Sequence, residues 1–400
     1  MDELDALRQM RTGLAEEEHP DRIALRTNWR AGMTGRPRRG FKLPLLSLAA
    51  TAAVVAGAVA VVSLPSDEVP APGPSGTTVP QRQGDVLLMA ATNAEKAPIG
   101  KYWHTRTVMG EIYAVGSSRA DHYKVDSRQG NEYWIDRNGQ GRFAHLDFTD
   151  VPVTAQDRRK WQAAGSPTWV SIPNSEGSDA EMRLDMRPLS GRAFRWMPAD
   201  DRYFGMTQKQ IAELPTEPKA LENALLNLKG RWRAVGQNGP DERMRALKGQ
   251  ERARALSEAA GDLLSRIPAP PAVRAAAFRM LAAQPGVKAE GETTDPLGRK
   301  GTVVSLPLKT TTPLGIFTAP KQLGTYRRQF IVDPGKGMLL AVRDLVATPP
   351  KGSLRLPPGD DGKPRSLKAE NMPDRFHRPG EPASYKVFEI AEWTDAEPPQ

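Results

Sequence analysis

The sequence predicts an α+β protein with one transmembrane helix and an extracytoplasmic antiparallel β-sheet covered by helices. A half-barrel is one form that this sheet could take. Three observations lead to this fold class. Residues 43–64 form an uncharged apolar run of 22 residues, enough to span about 30 Å of hydrocarbon. Residues 101–148 and 287–347 alternate aromatic or β-branched residues with turn signals, as strands do. Residues 207–283 carry helix caps and helical apolar spacing instead.

Residues 1–42 are predicted to be a basic cytoplasmic tail, because they contain nine Lys/Arg and seven Asp/Glu. Leu4, Leu7 and Leu14 fall on one side of a helix that Asp2 can cap, so these leucines are the candidate contact with a partner. A segment this short cannot enclose a core of its own. We expect the tail to fold on a partner or to lie on the membrane. A disordered stub that aids insertion is the alternative.

Residues 43–64 are predicted to cross the lipid bilayer as an uncleaved anchor. Residues 22–42 carry seven basic and no acidic residues, whereas Asp67 and Glu68 follow the apolar run. The positive-inside rule then predicts a cell-membrane protein with a cytoplasmic amino terminus and an extracellular carboxy-terminal domain. The alternative is a cleaved signal peptide, because residues 58–60 have the small-x-small form of a cleavage site. The length of the run favours the anchor.

Beyond the anchor, residues 65–84 are predicted to be a Pro/Gly linker and residues 85–400 an extracytoplasmic α+β domain. Proline and glycine leave the linker almost nothing to bury, so it is expected to be a stiff spacer. Within the domain we predict a β-meander first, then helices, and then two hairpins with a closing strand. The turn signals are Asn138-Gly139, 295–298 and 333–337. Helix signals begin with a capping box at Thr207 and Gln210, and helices are predicted at 218–228, 241–267 and 271–283.

The composition excludes several kinds of chemistry. The chain contains no cysteine, which excludes disulfides, thiolate metal sites and a cysteine nucleophile. Phosphate-binding loops, dinucleotide fingerprints, nucleophile elbows and zinc-protease motifs are also missing from the sequence. His104, His122 and His145 match no metal-ligand spacing. We therefore predict that the protein is not an enzyme and that it has no catalytic residues, no cofactor and no metal.

The net charge of +9 bears on the choice of partner. Most of this excess lies outside the tail, which favours anionic lipid headgroups or acidic wall polymers over neutral partners. A generic solvated basic surface is the alternative. Nucleic acid is not an expected partner, because stripes of arginine and aromatic residues are lacking.

Two pairs of adjacent aromatic residues form the candidate ligand groove: Tyr102 with Trp103, and Tyr133 with Trp134. Adjacent residues in a strand point to opposite faces of the sheet, so one member of each pair faces away from the first layer. Aromatic and apolar side chains typically line ligand sites. The alternative is that helices or loops cover both faces of the sheet.

Two stretches resemble an uncharacterised family of actinobacterial single-pass membrane proteins: PPAVRAAAFRMLAAQPGV at 270–287 with DPLGR at 295–299, and FIVDPGKGMLLA at 330–341. The order of tail, anchor, linker, meander, helices and hairpins is also similar. The outer hairpins are similar to those of lipoprotein-carrier and sigma-regulator half-barrels. The family has no assigned activity, and the resemblance implies a sigma factor as a partner of the tail. The tail departs from zinc anti-sigma domains, because it has no Cys and only His19.

Together these observations lead us to expect a non-enzymatic, single-pass membrane protein. Its extracytoplasmic domain is expected to bind a lipid, peptide or wall ligand and to signal through the tail. The alternative is a membrane regulator associated with a sigma factor, which acts through the cytoplasmic tail itself.

Overall fold

The computed structural model describes most of the chain from residue 85 onward. The described residues are 85–173, 179–187, 191, 193–197, 203, 206–230, 242–310, 323–356 and 364–399.

One large antiparallel sheet dominates the described chain. It contains nine strands in the order β6-β3-β2-β1-β15-β12-β11-β10-β9. The other six strands form three two-stranded hairpins, β4–β5, β7–β8 and β13–β14. The strands are β1 (Tyr102–Val115), β2 (Tyr123–Asp136), β3 (Gly141–Pro152), β4 (Trp169–Pro173), β5 (Asp179–Arg183), β6 (Arg195–Met197), β7 (Lys229–Gly230), β8 (Glu242–Arg243), β9 (Lys288–Thr294), β10 (Lys300–Thr310), β11 (Thr325–Asp333), β12 (Met338–Thr348), β13 (Ser353–Leu356), β14 (Arg365–Lys368) and β15 (Pro382–Thr394).

Strand β15 joins the two halves of the sheet. It pairs with β1 on one side and with β12 on the other, both antiparallel. The meander β1–β2–β3 and the hairpins β9–β10 and β11–β12 therefore become one continuous sheet only when this late strand is in place. Such long-range pairing brings residues far apart in sequence into one site.

The three predicted hairpin turns are confirmed. They connect β2 to β3, β9 to β10, and β11 to β12. Each turn contains a glycine with positive φ, namely Gly139 at 85°, Gly298 at 84° and Gly337 at 62°. Glycine adopts this conformation without steric cost. At Gly337 a Cβ atom would also lie 2.2 Å from the Ala94 nitrogen, so the turn packs directly on the first helix.

Six α-helices are described: α1 (Asp85–Glu95), α2 (Ala155–Ala163), α3 (Gln208–Ala212), α4 (Pro218–Leu226), α5 (Gly249–Ser265) and α6 (Pro271–Ala282). The predicted capping box at the start of α3 is confirmed, since the Thr207 hydroxyl accepts from the Gln210 amide and the Gln210 side chain accepts from Thr207. The predicted start of α5 at residue 241 is wrong. Residues 242–246 instead form β8 and a 3-10 turn, and Met244 is fully buried there.

The main core lies between one face of the sheet and helices α1 and α3 to α6. Trp103, Phe330 and Leu339 of the sheet meet Leu263 and Phe278 of the helices, and all are at least 98 % buried. We call this face of the sheet the helix-facing side. Two hairpins cover the same side further along: β4–β5 packs on Val125, and β13–β14 packs on Tyr326. Removal of this apolar surface from water is the main stabilising contribution.

The predicted fold class needs correction. The described chain is mainly a large antiparallel sheet, and no helix within the described ranges is long and apolar enough to cross a membrane. Its longest helix, α5, has 17 residues and carries charged residues along its length, whereas a spanning helix needs about 20 apolar residues. The anchor prediction depended on residues 43–64, which lie outside the described residues together with the tail and linker.

Candidate functional site

The structure places the four residues of the predicted groove on two faces of the sheet. Trp103 and Tyr133 point to the helix-facing side, whereas Tyr102 and Trp134 point to the opposite side. Trp103 is fully buried, and its indole N–H donates to the Arg266 carbonyl at 3.2 Å. The four side chains therefore do not line one groove. The predicted tail contacts Leu4, Leu7 and Leu14 lie outside the described residues, and their role remains a prediction.

A pocket opens on the helix-facing side, where the helical layer ends. Its cavity volume is about 20 Å³, which is room for about one water molecule. Tyr133 is the member of the predicted groove that contributes to it. The lining residues are Thr105, Thr107, Met109, Asn131, Tyr133, Ile135, Tyr203, Arg266 and Lys386.

Strand register sets the floor of this pocket. Thr105 is the cross-strand neighbour of Tyr133, and Thr107 is that of Asn131. Lys386 on β15 lies opposite Met109 on β1. Thr105, Thr107 and Asn131 are 3 %, 6 % and 7 % exposed. These three polar side chains, from two neighbouring cross-strand pairs, are called the buried polar row. A buried polar group is costly unless it is hydrogen-bonded, which makes this row unusual beside the apolar core.

The Asn131 amide is held by a neighbouring ring system. Its Oδ1 lies 2.6 Å from Nδ1 of His145. Because an amide oxygen accepts, Nδ1 of His145 carries the proton. Phe143 meets His145 edge-on at 5.1 Å and stacks with Tyr133 at 5.9 Å. The polar floor and aromatic wall of the pocket are thus one packed unit, which keeps the Asn131 side chain in a defined orientation.

Two arginines, Arg266 and Arg274, lie near the pocket, where α5 ends. Arg266 forms two hydrogen bonds to Asp262, at 2.9 and 3.0 Å. Arg274 lies behind the pocket with its guanidinium 5.0 Å from the Trp103 ring centroid, and it donates to the Leu264 carbonyl at 3.3 Å. Burial lowers the pKa of Arg274 to about 10, so it remains charged at neutral pH. The negative end of the α5 dipole favours these charges.

A second polar cluster lies near α2, since Lys124 beside His377 donates its amide to Asp157 of that helix. Asp374 and His377 are almost completely buried there. The Tyr326 hydroxyl donates to Oδ2 of Asp374 at 2.6 Å. Oδ1 of Asp374 and both ring nitrogens of His377 have no hydrogen-bond partner among the described residues. Lys124 lies near His377 and pairs with Glu381 at 2.6 Å.

Burial shifts the pKa of both Asp374 and His377. It raises the pKa of the Asp374 carboxyl to about 6, although the bond from Tyr326 opposes the shift. It lowers the pKa of His377 to about 4, and the positive charge of Lys124 adds to that effect. Both groups therefore favour their neutral forms, as expected where water is excluded.

Within the described ranges, no group of three or more His, Cys, Asp or Glu side chains is arranged to hold a metal ion.

Several pocket residues were missed from the sequence. Thr105, Asn131 and Ile135 lie two positions from the predicted Trp103 and Tyr133, so strand alternation alone assigns them to the same face. Tyr203, Arg266 and Lys386 carry no such signal, because they reach the pocket only through the tertiary fold.

Comparison with known proteins adds no relative: no family model, no curated protein and no solved structure matches this chain.

Proposed function

We propose that the described domain is a non-enzymatic binding domain, and that its ligand is a small amphipathic molecule or the end of a lipid, peptide or wall fragment. The observation that carries this proposal is the buried polar row of Thr105, Thr107 and Asn131 at the floor of the pocket. Polar side chains in an otherwise apolar pocket fix the orientation of a ligand and provide specificity.

The lining of the pocket indicates the chemistry of the ligand. Met109, Ile135 and Tyr133 offer apolar and aromatic surface, whereas Lys386 and Arg266 bring positive charge to the same pocket. This combination suits a ligand with an apolar body and an anionic group, such as a carboxylate or phosphate. A charged hydrogen bond to such a group is stronger than a neutral one. The cavity of about 20 Å³ admits only a small group at the end of the ligand, so the rest of the ligand would lie on the surface outside it.

The test is ligand-dependent stabilisation of the full-length protein. Thermal unfolding is followed with a fatty acid, a lysophospholipid, short peptides and soluble wall fragments. A ligand at about 100 times its Kd should stabilise the folded state by about 2.7 kcal/mol. Failure of every compound to raise the Tm would remove the basis of this proposal.

Matched variants locate the binding. Thr107→Val removes a hydroxyl from the floor at nearly constant volume, and Lys386→Met removes the charge. Both should reduce the ligand-induced rise in Tm. Thr293→Val is the control, because Thr293 lies on the edge strand β9, away from the pocket. Equal shifts in all three variants would show that the ligand binds elsewhere.

A further inference from the structure

The face of the sheet opposite the helices carries a row of aromatic and charged side chains. His104 on β1, Trp134 on β2, Arg142 on β3 and Trp196 on β6 are successive cross-strand neighbours. His104 stacks on Trp134 with ring centroids 3.7 Å apart, and Tyr102 meets Trp134 edge-on at 6.4 Å. We call the rings of Tyr102, His104 and Trp134, together with the adjacent Arg142, the aromatic row.

An ion-pair network holds the rings of this row in place. His104 Nε2 lies 2.9 Å from Glu132, which also accepts from Arg106 at 3.2 Å. Arg106 in turn donates to Glu389 at 2.7 Å. Burial lowers the pKa of His104 against the opposing effect of Glu132. A neutral imidazole at physiological pH is therefore expected to stack on Trp134, and its orientation is fixed by the Glu132 carboxylate.

The segment Asp395–Pro399, which follows β15, lies across this row. The Asp395 carboxylate accepts from the Lys101 amide at 3.0 Å. Tyr102 donates its hydroxyl to Glu397 at 3.0 Å, and Arg142 donates to the Pro399 carbonyl at 2.7 Å.

These contacts define the path of the segment. Tyr102 is on β1 and Arg142 is on β3, so the segment passes over the intervening strand at the level of Trp134. Trp134 is only 7 % exposed. The segment combines two carboxylates with Pro398 and Pro399, and the row binds it through two donors, the Tyr102 hydroxyl and the Arg142 guanidinium.

We propose that the aromatic row is a docking site for an acidic, proline-containing peptide, and that Asp395–Pro399 occupies this site within the same chain. Proline-rich segments bind aromatic-lined surfaces of other proteins, because ordering their already extended conformation costs little entropy. Two cations contact the segment directly: Arg142 donates to the Pro399 carbonyl, and Lys101 lies 3.6 Å from the Glu397 carboxylate. Residues 65–74 have the same chemistry, with Asp67, Glu68 and three prolines after them.

The test uses the full-length protein with the segment released by Glu397→Ala, Pro398→Gly and Pro399→Gly together. Binding of a fluorescently labelled peptide of residues 392–399 is measured by fluorescence anisotropy, and circular dichroism checks the fold. A tethered segment competes at an effective concentration on the order of millimolar. We therefore expect the released protein to bind the peptide at least tenfold more tightly than the wild type.

Further variants test the site itself. Arg142→Ala in the released protein should weaken peptide binding at least tenfold, whereas Arg159→Ala, an exposed arginine on α2, should leave it unchanged. A labelled peptide of residues 65–74 should compete with the first. The proposal is overturned if the folded, released protein binds no peptide, or if both arginine variants weaken binding equally. Equal binding of an acidic peptide without proline would overturn it as well, because charge alone would then explain the contact.

Discussion

Replacing His377 by leucine should remove a specific acid sensitivity from this protein. His377 is 1 % exposed, and both of its ring nitrogens have no partner among the described residues. Its imidazole must therefore remain neutral to stay buried. In the unfolded chain the same imidazole takes up a proton near its usual pKa of about 6.5. The unfolded state consequently binds more protons than the native state between these two pKa values.

The sign and size of the effect follow from this difference. The folded pKa is lowered from 6.5 to about 4, so His377 costs no stability above pH 6.5 and progressively more as the pH falls toward 4. A tenfold change in proton affinity corresponds to about 1.4 kcal/mol. Between pH 7.5 and pH 4.5 the wild-type protein should lose about 2 to 3 kcal/mol through this residue. His377→Leu should not have this loss.

Asp374 should act in the opposite direction. Its folded pKa is raised from 3.8 to about 6, so the native state binds more protons between these values. The stability that this group contributes is present at low pH and is lost as the pH rises through 6. Between pH 7.5 and pH 4.5, acidification should gain about 2 kcal/mol through Asp374. The two residues therefore nearly cancel each other in the wild type.

Urea unfolding at half-unit steps from pH 4.5 to 7.5 measures these effects in four proteins. Relative to wild type, His377→Leu should become more stable as the pH falls, and Asp374→Asn should become less stable. The double variant should follow the wild-type profile closely. At neutral pH, His377→Leu should also gain about 1 kcal/mol, because unpaired buried nitrogens are removed. Parallel pH profiles for the wild type and both single variants would refute the reasoning.

Two further changes test how the sheet is packed. Gly110→Ala should destabilise the protein by about 3 kcal/mol, because the new Cβ would lie 2.2 Å from the Tyr385 ring. The control is Gly261→Ala within α5, where the nearest atom to the new Cβ would be 3.4 Å away. This variant should gain up to about 1 kcal/mol in stability in the same urea experiment. Equal losses of stability in the two variants would contradict the packing. Asp344→Asn should cost about 2 kcal/mol, because Arg328 loses one of its two carboxylate partners, Asp344 at 3.0 Å, and keeps Glu258. A loss below about 0.5 kcal/mol would show that this pair contributes little.

Much of the local structure was predictable from the sequence. The turns at Asn138-Gly139, 295–298 and 333–337 follow from glycine conformation and nearest neighbours, and all three connect the predicted strands. The cap at Thr207 depends on a residue three positions away. In contrast, the start of α5 was misjudged, because residues 242–246 favour pairing with β7 and burial of Met244 over helical propensity.

The candidate site was predictable only in part. Strand alternation correctly separates Tyr102 from Trp103, and Tyr133 from Trp134, onto opposite faces of the sheet. It does not show that Trp103 is enclosed by the helices, or that Tyr102 and Arg142 bind the segment Asp395–Pro399. These outcomes depend on residues more than 100 positions away in the chain.

The sequence by itself determined the short-range features: turns, caps, the alternation of strand faces and the absence of cysteine chemistry. Each depends on residues a few positions apart, where the conformational preferences of single residues decide the structure. Only the tertiary structure decided that β15 joins the two halves of the sheet and brings Lys386 beside Met109. It also decided that Asp374 and His377 are buried together. Bringing such distant residues together costs loop-closure entropy, and the contacts of the complete sheet offset this cost. Short stretches of sequence therefore do not reveal these contacts.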